Sequence, residues 1–144
     1  MYGRHEERVS VGLVPDEVLV LLPAVVESAR AAREAVDALA LGEQDETAFT
    51  LRLLVTELVS NSVRHAGLSS ADSITLEVWV EGGLVRGEVT DRGPGFDRPA
   101  FDQPPEGISG RGLYLVDALA DQWGCERTID HEGWVVWFQI ELGG

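Results

Sequence analysis

The sequence predicts an α+β fold: a two-layer sandwich of a mixed, mostly antiparallel sheet with helices on one face. Three observations carry this. Two long segments of helical periodicity precede a glycine-turned hairpin, and a third helical segment precedes a second hairpin. The clearest strand alternates with period two, so only one face of the sheet is apolar and needs a cover. The length of 144 residues suits one core, and a single domain over residues 1 to 144 is expected.

Val9 to Val14 alternates weakly and reads as a first strand, followed by a helix beginning near Pro15-Asp16 and split by Pro23. From Ala24 to Leu41, Val25, Val26, Ala29, Ala32, Ala35, Val36 and Leu39 recur at helical spacing until Gly42. Asp45 is placed to cap a second helix, whose buried side is marked by Phe49, Leu51, Leu54, Val55, Leu58, Val59 and Val63 and which Gly67 ends. Ile74, Leu76, Val78 and Val80 alternate with Thr75, Glu77 and Trp79, and Gly82-Gly83 turns that strand into a partner over Leu84 to Thr90. Four prolines fall between 91 and 109, together with Asp91, Gly93, Gly95, Asp97 and Gly107; this segment reads as irregular, with a mobile lid over about residues 97 to 109. Gly110 to Asp121 returns to helix through Leu113, Leu115, Val116 and Leu119. A last hairpin joins Trp123–Ile129 to Trp134–Leu142 around Asp130-His131-Glu132-Gly133. Trp123 and Trp137 are expected in the core of the sheet, His131 in the turn, and Cys125 as a small strand hydrophobe.

Charge narrows the function. Twenty-five acidic residues face eleven arginines, a formal charge of −14, and this field repels nucleic acid and anionic membrane surfaces. No run of about 18 apolar residues suggests a membrane span, and the one cysteine, Cys125, has no disulfide partner in the chain, which fits a reducing cytoplasm. Lysine is absent, which removes the P-loop and the ordinary protein-kinase site, because both place a lysine on the phosphates. A nucleotide site here needs local donors.

Three stretches supply candidates. Glu57 and Asn61 are one turn apart on the second helix, and Arg64 and His65 continue that face. The amide oxygen of Asn61 is a hard ligand suited to Mg²⁺, and Glu57 is placed to orient or deprotonate a nucleophile. Asp91-Arg92-Gly93-Pro94-Gly95-Phe96 follows a strand; a carboxylate accepts from an exocyclic amine, and Gly93 and Gly95 let backbone approach a flat ring. Ser109-Gly110-Arg111-Gly112-Leu113 opens the third helix, where free amides and the positive dipole end attract phosphate. Each stretch alone also fits a blander reading, as a solvated helix face, an Asp/Gly/Pro turn or close helix packing. Their order along the chain, with Arg64, Arg92, Arg98 and Arg111 in or beside them, favours one site.

With these motifs the sequence resembles the GHKL, or Bergerat-fold, ATP-binding domain shared by Hsp90, gyrase B, histidine kinases and MutL. Within that superfamily it is similar to the anti-sigma regulatory factors, the serine/threonine kinases of bacterial partner-switching systems, in forms associated with actinobacteria. The runs Thr56-Glu57-Leu58-Val59-Ser60-Asn61-Ser62-Val63-Arg64-His65-Ala66 and Gly110-Arg111-Gly112-Leu113-Tyr114-Leu115-Val116-Asp117 carry the likeness. The resemblance implies that Asn61 holds Mg²⁺, Asp91 binds adenine, the Gly110 to Leu113 turn binds phosphate, and Glu57 is the catalytic base. It implies two partners, a sigma factor and an anti-sigma antagonist phosphorylated on serine, and a homodimer in small members. Such kinases often carry a basic residue before the second glycine turn and a threonine at the base of the last hairpin, where this chain has Ile108 and Val135. Two other readings stand beside this one. One is an ATP-binding interaction module without kinase activity. The other is the catalytic domain of a histidine-kinase-like system, which needs an acceptor histidine on a separate dimerisation helix; none is read before this domain.

Overall fold

A computed structural model describes residues 16–39, 41, 45–101 and 111–142, with the side chains of Asp45 and His65 left aside. Along the described chain run β1 (Glu17–Pro23), α1 (Ser28–Val36), α2 (Asp45–His65), β2 (Ser73–Glu81), β3 (Leu84–Asp91), α3 (Arg111–Leu119), β4 (Gln122–Arg127) and β5 (Trp134–Glu141). The five strands form one sheet in the order β1-β2-β3-β5-β4. Every pairing among the described residues is antiparallel, in keeping with the mostly antiparallel sheet expected.

The N-terminal region departs from the sequence reading. The strand expected over Val9 to Val14 lies outside the described residues, and the helix expected from Pro15-Asp16 is instead β1. Val18, Val20 and Leu22 point to the core, while Leu19 and Leu21 stand exposed on the other face. Because both faces of β1 are apolar, its sequence has no period-two contrast, and only pairing with β2 makes it a strand. Ser28 Oγ donates to the Pro23 carbonyl at 2.5 Å, tying the start of α1 to the end of β1.

The other elements follow their periodicity with two corrections: α1 is shorter than the expected Ala24 to Leu41 and leaves Val26 exposed, and Phe49 in the first turns of α2 is 67% exposed where the buried side was expected. In β2, Ile74, Leu76 and Val78 are fully buried, and Gly82 and Gly83, both at positive φ, turn the chain into β3. In α2, Leu51, Leu54, Val55, Leu58, Val59 and Ser62 recur three or four residues apart and are all buried. They pack on the inner face of the sheet with Val85, Val89, Val136 and Phe138, while α1 contributes Ala32 and Val36. Each fully buried leucine or valine contributes roughly 1.5–3 kcal/mol, so this long helix is the main cover of the sheet.

The opposite face has no helix over it among the described residues. There Arg86 packs 4.4 Å from the Trp137 ring centre and donates to Glu88 Oε2 at 3.1 Å and to Gln139 Oε1 at 3.0 Å. Trp137 thus lies on the open face, over Gly124, and not in the core as expected; Trp123 is buried as expected. His131 sits in the last turn at positive φ, and Cys125 packs against the core, its thiol pKa pushed up first by burial.

Glu77 shares that open face with Glu17 and Glu88. Burial first, then the Glu17 carboxyl, then the Glu88 charge raise its pKa above the ordinary carboxylate value. Folded Glu77 therefore keeps its proton to higher pH than unfolded Glu77, and stability falls as pH rises from the ordinary value through the raised one. Glu77→Gln is expected to melt near wild type in acid and above it at neutral pH. A melting-temperature series in which the difference does not widen with pH would contradict this.

Candidate nucleotide-binding site

The stripe that buries α2 also sets its polar edge. Glu57 and Asn61 flank Leu58 and Ser62 and are half-buried where the helix meets the rest of the site. Arg64, one turn on, is exposed and donates to Asn61 Oδ1 at 3.4 Å. This long, solvent-facing bond is easily given up to a stronger ligand. His65 lies in the last turn of α2, and its side chain is among those left aside.

Asp91 ends β3 on its inner face, in line with the buried Val85, Gly87 and Val89, and is only 8% exposed. A carboxylate at a core position needs partners. Oδ2 accepts the Ser62 hydroxyl at 2.6 Å, and Oδ1 accepts the Gly93 N–H at 2.8 Å. Each oxygen keeps acceptor capacity beyond these bonds, which suits an amine donor from a ligand. Ser62 was not singled out from the sequence. Its signal was present: a polar residue four positions after Leu58, on the buried stripe.

The glycines of this loop are required by contact. A side chain at Gly93 would come within 2.7 Å of Ala66 Cβ and 2.8 Å of its carbonyl, so Gly93 seats the loop against the end of α2. Gly95 has φ of 82°, and a Cβ there would overlap the Trp134 ring. Phe96 packs against the same ring, with centroids 5.6 Å apart.

At the third stretch, Ser109 and Gly110 lie outside the described residues, as does Ile108. Arg111 is exposed at the start of α3, and Gly112 is buried. A Cβ on Gly112 would stand 3.4 Å from Asn61 Oδ1 and 3.6 Å from Glu57 Cβ. Thus α3 begins directly beside the Glu57–Asn61 edge.

Between these parts is a cavity of about 330 Å³, lined by Leu58, Asn61, Ser62, Ala66, Asp91, Gly95, Phe96, Asp97, Pro99, Leu113, Trp134 and Val136. Its size is within the range of small-molecule pockets, and its mostly apolar lining with a few polar groups suits a flat heterocycle. Of the sequence candidates, Asn61, Asp91, Gly95 and Leu113 line it; Glu57, Gly93 and Gly112 support its wall. Arg64 and Arg111 do not line it. Arg92 and Arg98, also offered as local positive charge, are paired elsewhere: Arg92 with Glu132 at 2.9 Å, and Arg98 with Asp117 at 3.6 Å while lying 4.3 Å from the Trp123 ring centre.

The last hairpin corrects another expectation. Strand alternation turns Val135 to the open face, and it is Trp134 and Val136 that border the cavity. Register explains this: Asp91 pairs with Trp134, so the residue facing the carboxylate is the one next to Gly133. At the base of the expected lid, Phe101 packs edge-on to Tyr114 of α3, with centroids 5.6 Å apart. No cluster of three or more histidine, cysteine or acidic side chains poised for a metal occurs among the described residues. Asn61 with ligand phosphates is the arrangement that would suit Mg²⁺ here.

A long helix laid on an antiparallel sheet, with a cavity between an asparagine-bearing helix face, an aspartate–glycine loop and a glycine-opened helix, defines the α+β ATPase-type fold. The model of the histidine kinase-like ATPase domain matches residues 22–140, and the chain belongs to that family. An uncharacterised protein of Streptomyces coelicolor is 35% identical over 79 residues, covering 53% of this chain and 72% of that protein. The structure of the RsbU and RsbW domains of Rv1364c from Mycobacterium tuberculosis superposes with a TM-score of 0.61 at 19% identity, over 88% of this chain and 32% of that one. A blue-light activated histidine kinase of Erythrobacter litoralis superposes with a TM-score of 0.52 at 27% identity, over 85% of this chain and 42% of that one. The chain spans about a third of the mycobacterial protein and under half of the histidine kinase. No helix among the described residues is long and apolar enough to cross a membrane.

Proposed function

We propose that this domain binds Mg-ATP and acts as a serine/threonine kinase of the anti-sigma type, phosphorylating an antagonist protein in a reducing cytoplasm and otherwise holding a sigma factor. The observation that carries the reading is the convergence of Asn61, Asp91 and Gly112 around one cavity. Asp91 receives the adenine amine, held in place by Ser62 and Gly93. Asn61 Oδ1 would hold Mg²⁺, which when bound shields the phosphate charge that the acidic chain repels. The opening turn of α3, with Gly112 and Leu113, offers backbone amides to the phosphates. Glu57, beside Asn61 and Gly112, takes the proton of the attacking serine hydroxyl. The likeness to the RsbW-containing structure supports the choice of partner class.

The first test is calorimetric titration with ATP and magnesium. Wild type is expected to bind, and Asn61→Ala to lose at least about tenfold in affinity in magnesium, with a smaller loss in its absence. Equal affinities in magnesium would remove the metal role of Asn61. Mixing the protein with labelled ATP and candidate antagonists then separates the kinase from an interaction module that binds ATP without transfer. The fold likeness to a histidine kinase favours a second reading, transfer to a histidine on another chain. Acid-labile label on the acceptor would identify it.

A further inference from the structure

The cavity has a second aspartate besides Asp91, outside all three motifs. Asp97 lines the cavity yet is exposed, so it stands at the mouth. Its carboxylate has no hydrogen-bond or ion-pair partner among the described residues. The adjacent Arg98 does not neutralise it, being turned to Asp117 at 3.6 Å and stacked 4.3 Å from the Trp123 ring centre. On the other side of Asp97, the Pro94 carbonyl accepts from Arg127 at 2.6 Å. The backbone that carries Asp97 is thus anchored both before and after it. The same stretch leaves β3 at Asp91, the end of the cavity where the amine is expected, and meets α3 where Phe101 packs on Tyr114. Helix α3 in turn opens at Gly112 beside Asn61, where the phosphates are expected. Asp97 therefore stands on the wall that joins the base end of the cavity to its phosphate end.

A carboxylate only accepts, and in a chain of net charge −14 a bare one at the mouth repels an incoming phosphate chain unless it meets donors. ATP has few donors to offer. Its ring nitrogens and phosphates accept, which leaves the amine, taken by Asp91, and the 2′ and 3′ hydroxyls of the ribose. The sugar also lies between base and phosphates, as Asp97 lies between their two ends of the cavity, and the two oxygens of a carboxylate match two neighbouring hydroxyls; dinucleotide-binding folds use an acidic residue on the ribose in the same way. We propose that Asp97 is the sugar-reading residue of the site: its carboxylate accepts from the ribose hydroxyls and sets a preference for ribonucleotides over deoxyribonucleotides. This rests on the adenine-nucleotide reading above and assigns a specificity role to a residue that reading does not use.

The test compares ATP with 2′-deoxy-ATP and 3′-deoxy-ATP, in magnesium, by calorimetry on the full chain. Wild type is expected to lose about tenfold in affinity for at least one of the deoxy analogues. Asp97→Ala removes an exposed side chain that leaves no partner stranded, so it is expected to melt as wild type does. It is expected to bind ATP only as tightly as wild type binds the penalised analogue, and to treat all three nucleotides alike. Asp97→Asn keeps one neutral acceptor and is expected to discriminate less than wild type. A carboxylate that acted only as a charge at the mouth would give the opposite sign: its removal would tighten all three nucleotides together. That result, wild type binding the three equally, or Asp97→Ala still discriminating overturns the role of Asp97 and leaves Asp91 and Asn61 as they stand. Wild type binding no adenine nucleotide overturns the parent reading as well.

Discussion

Glu57→Ala is expected to reduce phosphotransfer by about 100- to 10,000-fold, the range of a lost general base, while changing ATP affinity little. Glu57 does not line the cavity that would hold the base. Its Cβ instead lies by Gly112, at the start of α3, where the phosphates are expected. Removing the carboxylate there takes away the proton acceptor and leaves Asp91, Ser62 and Gly93 untouched, so binding and chemistry separate. Glu57→Gln keeps the side-chain volume and isolates the acid–base part. Single-turnover transfer from labelled ATP to a serine-bearing antagonist is the measurement. Transfer at the wild-type rate in either variant would remove Glu57 from the mechanism, and a parallel loss of ATP affinity would make it a binding residue.

The second large effect is at Asp91. Asp91→Asn is expected to weaken ATP binding by roughly 10- to 150-fold, equivalent to the 1.5–3 kcal/mol of a hydrogen bond to a charged group. The amide fits the same space: its oxygen can still accept from Gly93 N–H, and the Ser62 hydroxyl can rotate to accept from its NH₂. The variant therefore folds, but it presents one acceptor oxygen where the carboxylate presents two. Asp91→Ala is the harsher change, since it strands both the Ser62 hydroxyl and the Gly93 amide, and it is expected to lower the melting temperature as well. Calorimetry with ATP on Asp91→Asn decides the matter. Undiminished affinity would mean that the carboxylate is a structural anchor of the loop and not a base reader.

How much of this was legible varies along the chain in a physical way. The α2 helix was readable from Leu51, Leu54, Val55 and Leu58 because its buried stripe and polar edge are both written at helical spacing. β2 was readable because Ile74, Leu76 and Val78 contrast with Thr75 and Glu77. β1 was not, because Leu19 and Leu21 are as apolar as Val18 and Val20, and a continuous apolar run suits either helix or strand. Trp137 was misplaced for a related reason: on a sheet covered on one side only, an aromatic on the outer face looks like a core residue until strand parity is fixed.

By itself the sequence determined the kinds of groups available: an acid and an amide one turn apart, a carboxylate with glycines after a strand, a glycine pair opening a helix, and no lysine. These follow from local spacing, which a chain carries without being folded. The tertiary structure alone decided which residues meet. Strand register placed Trp134, not Val135, across from Asp91, and helix-on-sheet packing brought Ser62 to the Asp91 carboxylate and Gly112 to Asn61. Such pairings join residues 29 to 51 positions apart, and a shift of one residue in register would turn every side chain of β5 to the other face.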